Sequence, residues 1–163
     1  MSVLITVGTT KFEDLIERIS QEDILCLLHQ MGYSKIIMQK GNGSYIPDKK
    51  IFNNNKIDID IFDYIPSLKP YIEQADLIIG HAGAGTIIEC LRAGKKLVVV
   101  INEKLMNNHQ LEIANAMSSE HYLLQANCTN LISVIQDSNS FNPLPFSDAN
   151  PQAFADFIDS QLF

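Results

Sequence analysis

The sequence predicts an α/β fold, a doubly wound parallel sheet, on three observations. Short apolar runs alternate with helix-like patterns along most of the chain, the order from which parallel sheets with right-handed crossovers are built. Residues 3–7 (Val-Leu-Ile-Thr-Val) and 96–101 (Lys-Leu-Val-Val-Val-Ile) are apolar and rich in β-branched residues, as strands covered on both faces are. Residues 77–94 read as strand, glycine turn and helix: Leu-Ile-Ile-Gly-His-Ala-Gly-Ala-Gly-Thr-Ile-Ile-Glu-Cys-Leu-Arg-Ala-Gly. A sheet of this Rossmann-like kind places its ligand outside the carboxyl ends of the strands.

The elements follow in order. Gly8-Thr9-Thr10 ends the first strand, and Thr10 with Glu13 has capping-box spacing, so a helix is expected near Lys11. Ile16, Ile19, Ile24, Leu27 and Leu28 give apolar faces for one broken helix or two short ones ending near Gly32. Residues 35–39 form the second strand. Gly41-Asn42-Gly43-Ser44 is a flexible loop, and residues 46–56 are polar, Asn-rich and expected to be variable. Residues 57–61 alternate with Asp58 and Asp60, a strand with one wet face. A short helix over 67–74 is led by Pro66, the next strand covers 76–79, and a helix runs over 86–93 with Gly94 as its C′ residue. After the strand at 96–101 come a polar loop at 102–108, a helix at 109–117, a short strand at 122–124 and a helix at 127–136. These elements make one domain over 1–137. Residues 138–150, rich in Ser, Asn and Pro, read as a linker. Asn150-Pro151 opens a last helix, 151–163, carrying Phe154, Phe157, Ile158, Leu162 and Phe163. It either folds back on the core or docks on another protein.

At 163 residues the chain is large enough to bury its own core. A net charge of −7, with no basic run longer than Lys49-Lys50 or Lys95-Lys96, argues against free binding to nucleic acid or an anionic membrane. Cys26, Cys90 and Cys128 are odd in number and widely spaced, which reads as buried thiols in a reducing compartment. The first residues enter a strand with no basic leader and no apolar stretch long enough for a signal or a span. A cytosolic protein is expected, reaching a membrane only through a partner.

Residues 77–94 carry the chemistry. A strand, a glycine turn and a helix start form an anion site, because the free N–H groups of the first helical turn and the macrodipole both favour negative charge. Glycines let a phosphate approach the backbone. Three loops share the carboxyl edge: 8–10, 80–86 and 102–110. From Gly83 the sequence Gly-Ala-Gly-Thr-Ile-Ile lacks the third glycine of the dinucleotide fingerprint, and no Gly-Lys-Ser or Gly-Lys-Thr occurs. Asp58-Ile59-Asp60 has the Asp-x-Asp form of some metal-dependent transferases but sits on a wet strand face. His29, His81, His109 and His121 have no zinc spacing. Glu89 has two readings: the far end of a capping box with Thr86, or a carboxylate placed to accept hydrogen bonds from ribose hydroxyls. Asn107, Asn108, His109 and Gln110 read either as a loop and helix cap or as amide groups suited to sugar hydroxyls.

The segment Gly80-His81-Ala82-Gly83-Ala84-Gly85-Thr86-x-x-Glu89, with the later Asn107-Asn108-His109-Gln110, resembles the nucleotide-sugar half of family 28 glycosyltransferases. Within them it is most similar to the small eukaryotic catalytic subunits that transfer N-acetylglucosamine from UDP to dolichol-linked oligosaccharide. Ile5-Thr6-Val7-Gly8-Thr9-Thr10-x-Phe12 and Ile37-Met38-Gln39-x-Gly41 carry the same resemblance, which runs from residue 3 to about 137.

The resemblance implies the donor half of a GT-B glycosyltransferase. Gly83, Gly85 and Thr86 would bind the diphosphate of UDP, with His81 and Ala84 in the same turn. Glu89 would hold the ribose, and Tyr64 and Ile65 occupy the uracil-contact position. Asn107, His109 and Gln110 would read the N-acetylglucosamine hydroxyls, and Gly8 and Thr9 would line the cleft floor. The reaction would be an inverting displacement onto GlcNAc-diphosphodolichol, with no cofactor and no metal in this half. The acceptor site and the general base are expected on a membrane-anchored partner, at the cytosolic face of the endoplasmic reticulum. Residues 151–163 are the candidate partner contact. A non-catalytic nucleotide-sugar-binding module is the competing reading. A UDP-sugar epimerase would need a second domain and further cleft acids.

Overall fold

The computed structural model describes residues 1–104 and 108–146, and for 108–110 it describes the backbone only. Its strands are β1 (Ser2–Thr6), β2 (Lys35–Gln39), β3 (Asp58–Phe62), β4 (Leu77–His81), β5 (Lys96–Val100) and β6 (Leu124–Ala126). The helices are α1 (Glu13–Ile19), α2 (Glu22–Gln30), α3 (Lys49–Asn54), α4 (Lys69–Gln74), α5 (Ala84–Arg92), α6 (Asn108–Ser119) and α7 (Leu131–Asp137). All strand pairs are parallel, in the order β3-β2-β1-β4-β5-β6. The expected doubly wound sheet is therefore present. Its order reverses between β1 and β4, which makes the carboxyl end of that pair the crevice where such sheets bind ligands.

Strand periodicity splits the core in two. Val3, Ile5, Leu77, Ile79, Val98 and Val100 face one side with Leu15, Ile24, Phe52 and Leu131, from α1, α2, α3 and α7. Leu4, Ile78, Leu97 and Val99 face the other with Ile72, Ile87, Leu91 and Ala114, from α4, α5 and α6. The central strands β1, β4 and β5 are apolar on both faces because helices cover both. Among the described residues no helix is long and apolar enough to cross a membrane.

Of the two forms expected before Gly32, the structure shows two short helices, broken at Ser20 and Gln21. Several other local expectations change. The Thr10–Glu13 capping box does not form: Thr10 Oγ1 donates to the Val7 carbonyl at 2.7 Å. The Glu13 carboxylate instead accepts from Ser44 N (2.5 Å), Ser44 Oγ (2.6 Å) and Tyr45 N (3.0 Å). Residues 46–56 contain α3, capped by Asp48, which accepts from Lys50 N at 2.9 Å, and anchored by Phe52, which is 0% exposed. The strand expected at 122–124 lies two residues later, at β6. The last helix of the body, α7, starts only after Asn127 Oδ1 has accepted from Thr129 N and Asn130 N. Cys26 is exposed rather than buried; Cys90 is buried and Cys128 is intermediate.

Residues 138–146 run against the body. Lys96 Nζ donates to the carbonyls of Ser138 and Asn139 at 3.1 and 3.2 Å. Phe146 meets Tyr122 edge-to-face at 5.3 Å between ring centroids. The helix expected over 151–163 lies outside the described residues.

Candidate functional site at the β1–β4 switch point

Parallel pairing sets Ile5 beside Ile79 and Thr6 beside Gly80, so the loops that leave β1 and β4 emerge side by side. Gly80 allows that approach: a Cβ there would lie 3.2 Å from the Thr6 carbonyl oxygen. A buried pair then fixes the first turn. Thr6 Oγ1 donates to Gln39 Oε1 at 2.6 Å and accepts from Gly8 N at 3.2 Å. Gly8 has φ +62, a conformation that costs glycine little. The loop after β2 backs this turn, with Asn42 Nδ2 donating to the Thr9 carbonyl at 2.9 Å. The Glu13 carboxylate holds the far side of the same loop; its hydrogen bonds to Ser44 and Tyr45 keep its pKa at about 2.

His81 closes β4. It is 8% exposed, and its Nδ1 is buried without a hydrogen-bond partner. Burial holds the imidazole below its ordinary pKa, so it is neutral at pH 7. A Cβ at Gly8 would come within 3.3 Å of its Cε1, and one at Gly83 within 2.8 Å. The ring therefore occupies space that two glycines leave open. A buried polar atom with no partner is uncommon and calls for an explanation.

The helix after β4 begins earlier than the sequence suggests. Its N-cap is Gly83, with φ −80 and ψ 121 and no side-chain cap. Thr86 therefore lies inside the first turn and cannot serve as the N-cap of a box with Glu89. The capping explanation of Glu89 falls with it. Gly83 N donates to the His81 carbonyl at 2.8 Å, and the Gly83 carbonyl accepts from Ile87 N at 3.0 Å. The N–H groups of Ala84, Gly85 and Thr86 have no acceptor among the described residues. Nothing lies within 4 Å of a Cβ built on Gly85. Three unsatisfied donors, an open approach and the positive end of a nine-residue helix meet at one point.

Glu89 is exposed and opens on a cavity of about 340 Å³ between α4 and α5, lined also by Lys69, Ile72, Glu73, Arg92 and Ala93. A nucleoside bound along that groove would meet a carboxylate free to accept from its hydroxyls.

The structure thus brings Gly8, His81 and Gly83 into one place, with Ala84, Gly85 and Thr86 in the helical turn that follows and Glu89 one turn further on. Thr9 is exposed beside them. Tyr64 (61% exposed) and Ile65 leave the edge strand β3, three strand spacings or about 14 Å from β4. They begin the crossover to α4, whose Lys69, Ile72 and Glu73 line the groove shared with α5. Asn107 and the side chains of His109 and Gln110 lie outside the described residues; 109 and 110 fall in the first turn of α6.

Asp58 and Asp60 both pair with Lys35, at 3.9 and 2.9 Å. Among the described residues no three His, Cys, Asp or Glu side chains are grouped to hold a metal ion. A second cavity, about 520 Å³ and lined by His121, Leu124 and Asp137 among others, involves none of the motif residues. Sequence reasoning missed the Thr6–Gln39 pair and the enclosure of His81, because each joins residues from separate strands.

Residues 2–161 match the family model of the glycosyltransferase family 28 C-terminal domain. The chain is 48% identical over 126 residues to the human UDP-N-acetylglucosamine transferase subunit ALG13, covering 77% of this chain and 11% of that protein. It is 38% identical over 137 residues to the Yarrowia lipolytica protein of the same name, covering 83% of this chain and 70% of that one. The chain thus spans about a tenth of the mammalian relatives and most of the yeast one. In fold it is similar to a solution structure of ALG13, with TM-score 0.70, 24% identity and coverage of 93% and 92% of the two chains. It is also similar to the crystal structure of Acinetobacter baumannii MurG, with TM-score 0.66 and 20% identity, over 86% of this chain and 42% of that one.

Proposed function

The chain belongs to the glycosyltransferase family 28 C-terminal domain family, and on that premise we propose that it is the donor-binding subunit of a UDP-N-acetylglucosamine transferase. The observation that carries the reading is the start of α5: three N–H groups at the sheet's switch point with no acceptor among the described residues, beside a buried imidazole whose Nδ1 likewise has no partner among them. The diphosphate of UDP sits there, against Gly83, Ala84, Gly85 and Thr86, with His81, Gly8 and Thr9 as the floor. The ribose reaches Glu89 in the α4–α5 groove, the uracil lies toward Tyr64 and Ile65, and the sugar points toward Asn107, His109 and Gln110. The relatives named for UDP-N-acetylglucosamine transfer support this choice of donor.

The reaction is an inverting displacement. The acceptor hydroxyl oxygen bonds to the anomeric carbon, the bond from that carbon to the β-phosphate oxygen breaks, UDP leaves, and the hydroxyl proton passes to a general base. The leaving diphosphate gains negative charge in the transition state. The α5 N–H groups are already aimed at it and need no reorganisation, which supports a donor half that works without a metal or cofactor. The base and the acceptor site belong to a membrane-anchored partner. Support for a partner comes from the word "subunit" in the relatives' names. The acceptor is GlcNAc-diphosphodolichol, the second step of lipid-linked oligosaccharide assembly, at the cytosolic face of the endoplasmic reticulum. Residues 151–163 supply part of the partner contact.

The test is transfer from UDP-N-acetylglucosamine to a lipid-diphosphate-linked N-acetylglucosamine acceptor, by the chain alone and co-expressed with the candidate partner. Turnover is expected only with the partner. Robust turnover by the chain alone overturns the half-enzyme reading. UDP binding with no turnover in the complex leaves a non-catalytic nucleotide-sugar module in its place.

A further inference from the structure

Among the described residues, three polar contacts hold residues 102–104 where the chain leaves β5, two of them long-range. Asn102 Oδ1 accepts from Lys104 N at 3.1 Å and shapes the turn. Glu103 Oε1 accepts from Asn127 Nδ2 at 3.1 Å, from the loop between β6 and α7. Lys104 Nζ meets both oxygens of Asp14 on α1, at 2.9 and 2.6 Å, across 90 residues of sequence. β4 lies between β1 and β5 in the sheet. The Asp14–Lys104 pair therefore spans the end of β4, joining the helix that follows β1 to the loop that follows β5. Cys128 lies in the same cluster, its thiol pushed up first by burial and then by the Asp14 and Glu103 carboxylates.

We propose that Asp14, acting through Lys104, is a positioning residue for the sugar end of the donor: it fixes where residues 102–104, leaving β5, stand relative to the neighbouring turn after β4. The inference rests on the UDP-sugar reading above. With the diphosphate held at α5, the sugar extends toward the neighbouring β5 loop, so the placement of that loop affects the sugar and not the nucleotide. The pair is well suited to separate the two effects. Its side chains are 75% and 41% exposed, and exposed ion pairs contribute little to folding.

The experiment compares UDP and UDP-N-acetylglucosamine binding by calorimetry in the full chain and in Asp14→Asn, Lys104→Met and the reversal Asp14→Lys/Lys104→Asp. Each single variant is expected to keep its Tm and its UDP affinity. Each is expected to lose about two- to fivefold in affinity for UDP-N-acetylglucosamine, the range an exposed pair supplies. The reversal restores the affinity. In molar salt, where screening acts within a few ångströms, the wild type approaches the single variants. Equal losses for both ligands, or no loss for either, overturn the positioning role while leaving the donor site standing. A wild-type chain that binds neither ligand overturns the donor reading itself, and this inference with it.

Discussion

Replacing Gly83 with alanine tests the packing at the centre of the site. The backbone there, φ −80 and ψ 121, suits alanine, so no strain comes from the main chain. As an N-cap residue, glycine exchanged for alanine costs only modestly, since neither supplies a side-chain acceptor. The cost lies in space. The new Cβ would sit 2.8 Å from His81 Cε1 and 3.0 Å from Nε2, inside the closest approach of carbon atoms. The imidazole is 8% exposed, so it can give way only by moving against the packed turns around it. Overpacking of this kind costs about 1–3 kcal/mol, or a Tm lower by roughly 2–12 °C for a domain of this size. Urea denaturation of Gly83→Ala, His81→Ala and the double variant measures it as a cycle. The double variant should be more stable than the sum of the two single losses allows, because removing the ring removes the clash. Gly83→Ala as stable as wild type, or a cycle with no coupling, refutes the enclosure of His81 between the two turns.

Three further expectations come from single residues. Phe52→Ala should cost about 3–5 kcal/mol in urea denaturation, as truncation of a fully buried ring does; a loss under 1 kcal/mol contradicts a core role for α3. Burial lowers the His81 pKa, so between its folded pKa and the ordinary 6.5 the unfolded chain binds more protons, and stability falls as pH drops through that window. His81→Asn should flatten this part of the pH–stability curve, and an unchanged slope between pH 7 and 5 removes the buried neutral imidazole. Cys26 is exposed while the buried Cys90 thiol is pushed up to about 12, so a thiol reagent at pH 7.5 should label Cys26 before Cys90 in the native chain. Mass spectrometry of digested protein reads the order, and the reverse order contradicts it.

What the sequence makes legible is whatever is local. The strands at 3–7 and 96–101 declare themselves because four of five and five of six neighbouring residues are apolar. Gly94 reads as a helix end and has φ +64, with its N–H on the Leu91 carbonyl. The errors fall where a residue's partner is distant. Thr10 and Glu13 have the spacing of a capping box, but Glu13 is taken by Ser44, 31 residues on. Thr86 and Glu89 have the same spacing, but the helix already starts at Ala84, because Gly83 caps it through backbone geometry alone. Helix α3 is hidden in Asn-rich sequence, where one aromatic ring, Phe52, carries the burial. At 122–126 the residues Tyr-Leu-Leu-Gln-Ala mark no boundary, so the strand was expected two residues early. At the site, the phosphate-binding turn is legible from its glycines. The reason for Gly8 and Gly83 together, room for one imidazole, appears only when β1 and β4 lie side by side.

The claim that the α5 turn and Glu89 form a UDP site is tested most directly by titrating UDP into the folded chain and into Glu89→Ala by calorimetry. The wild type should bind UDP saturably at one site. Glu89→Ala, with its fold intact by circular dichroism, should bind more weakly by about 1.5–3 kcal/mol, the contribution of a hydrogen bond to a charged group. A folded wild-type chain that takes up no UDP, or a variant of unchanged affinity, contradicts the claim.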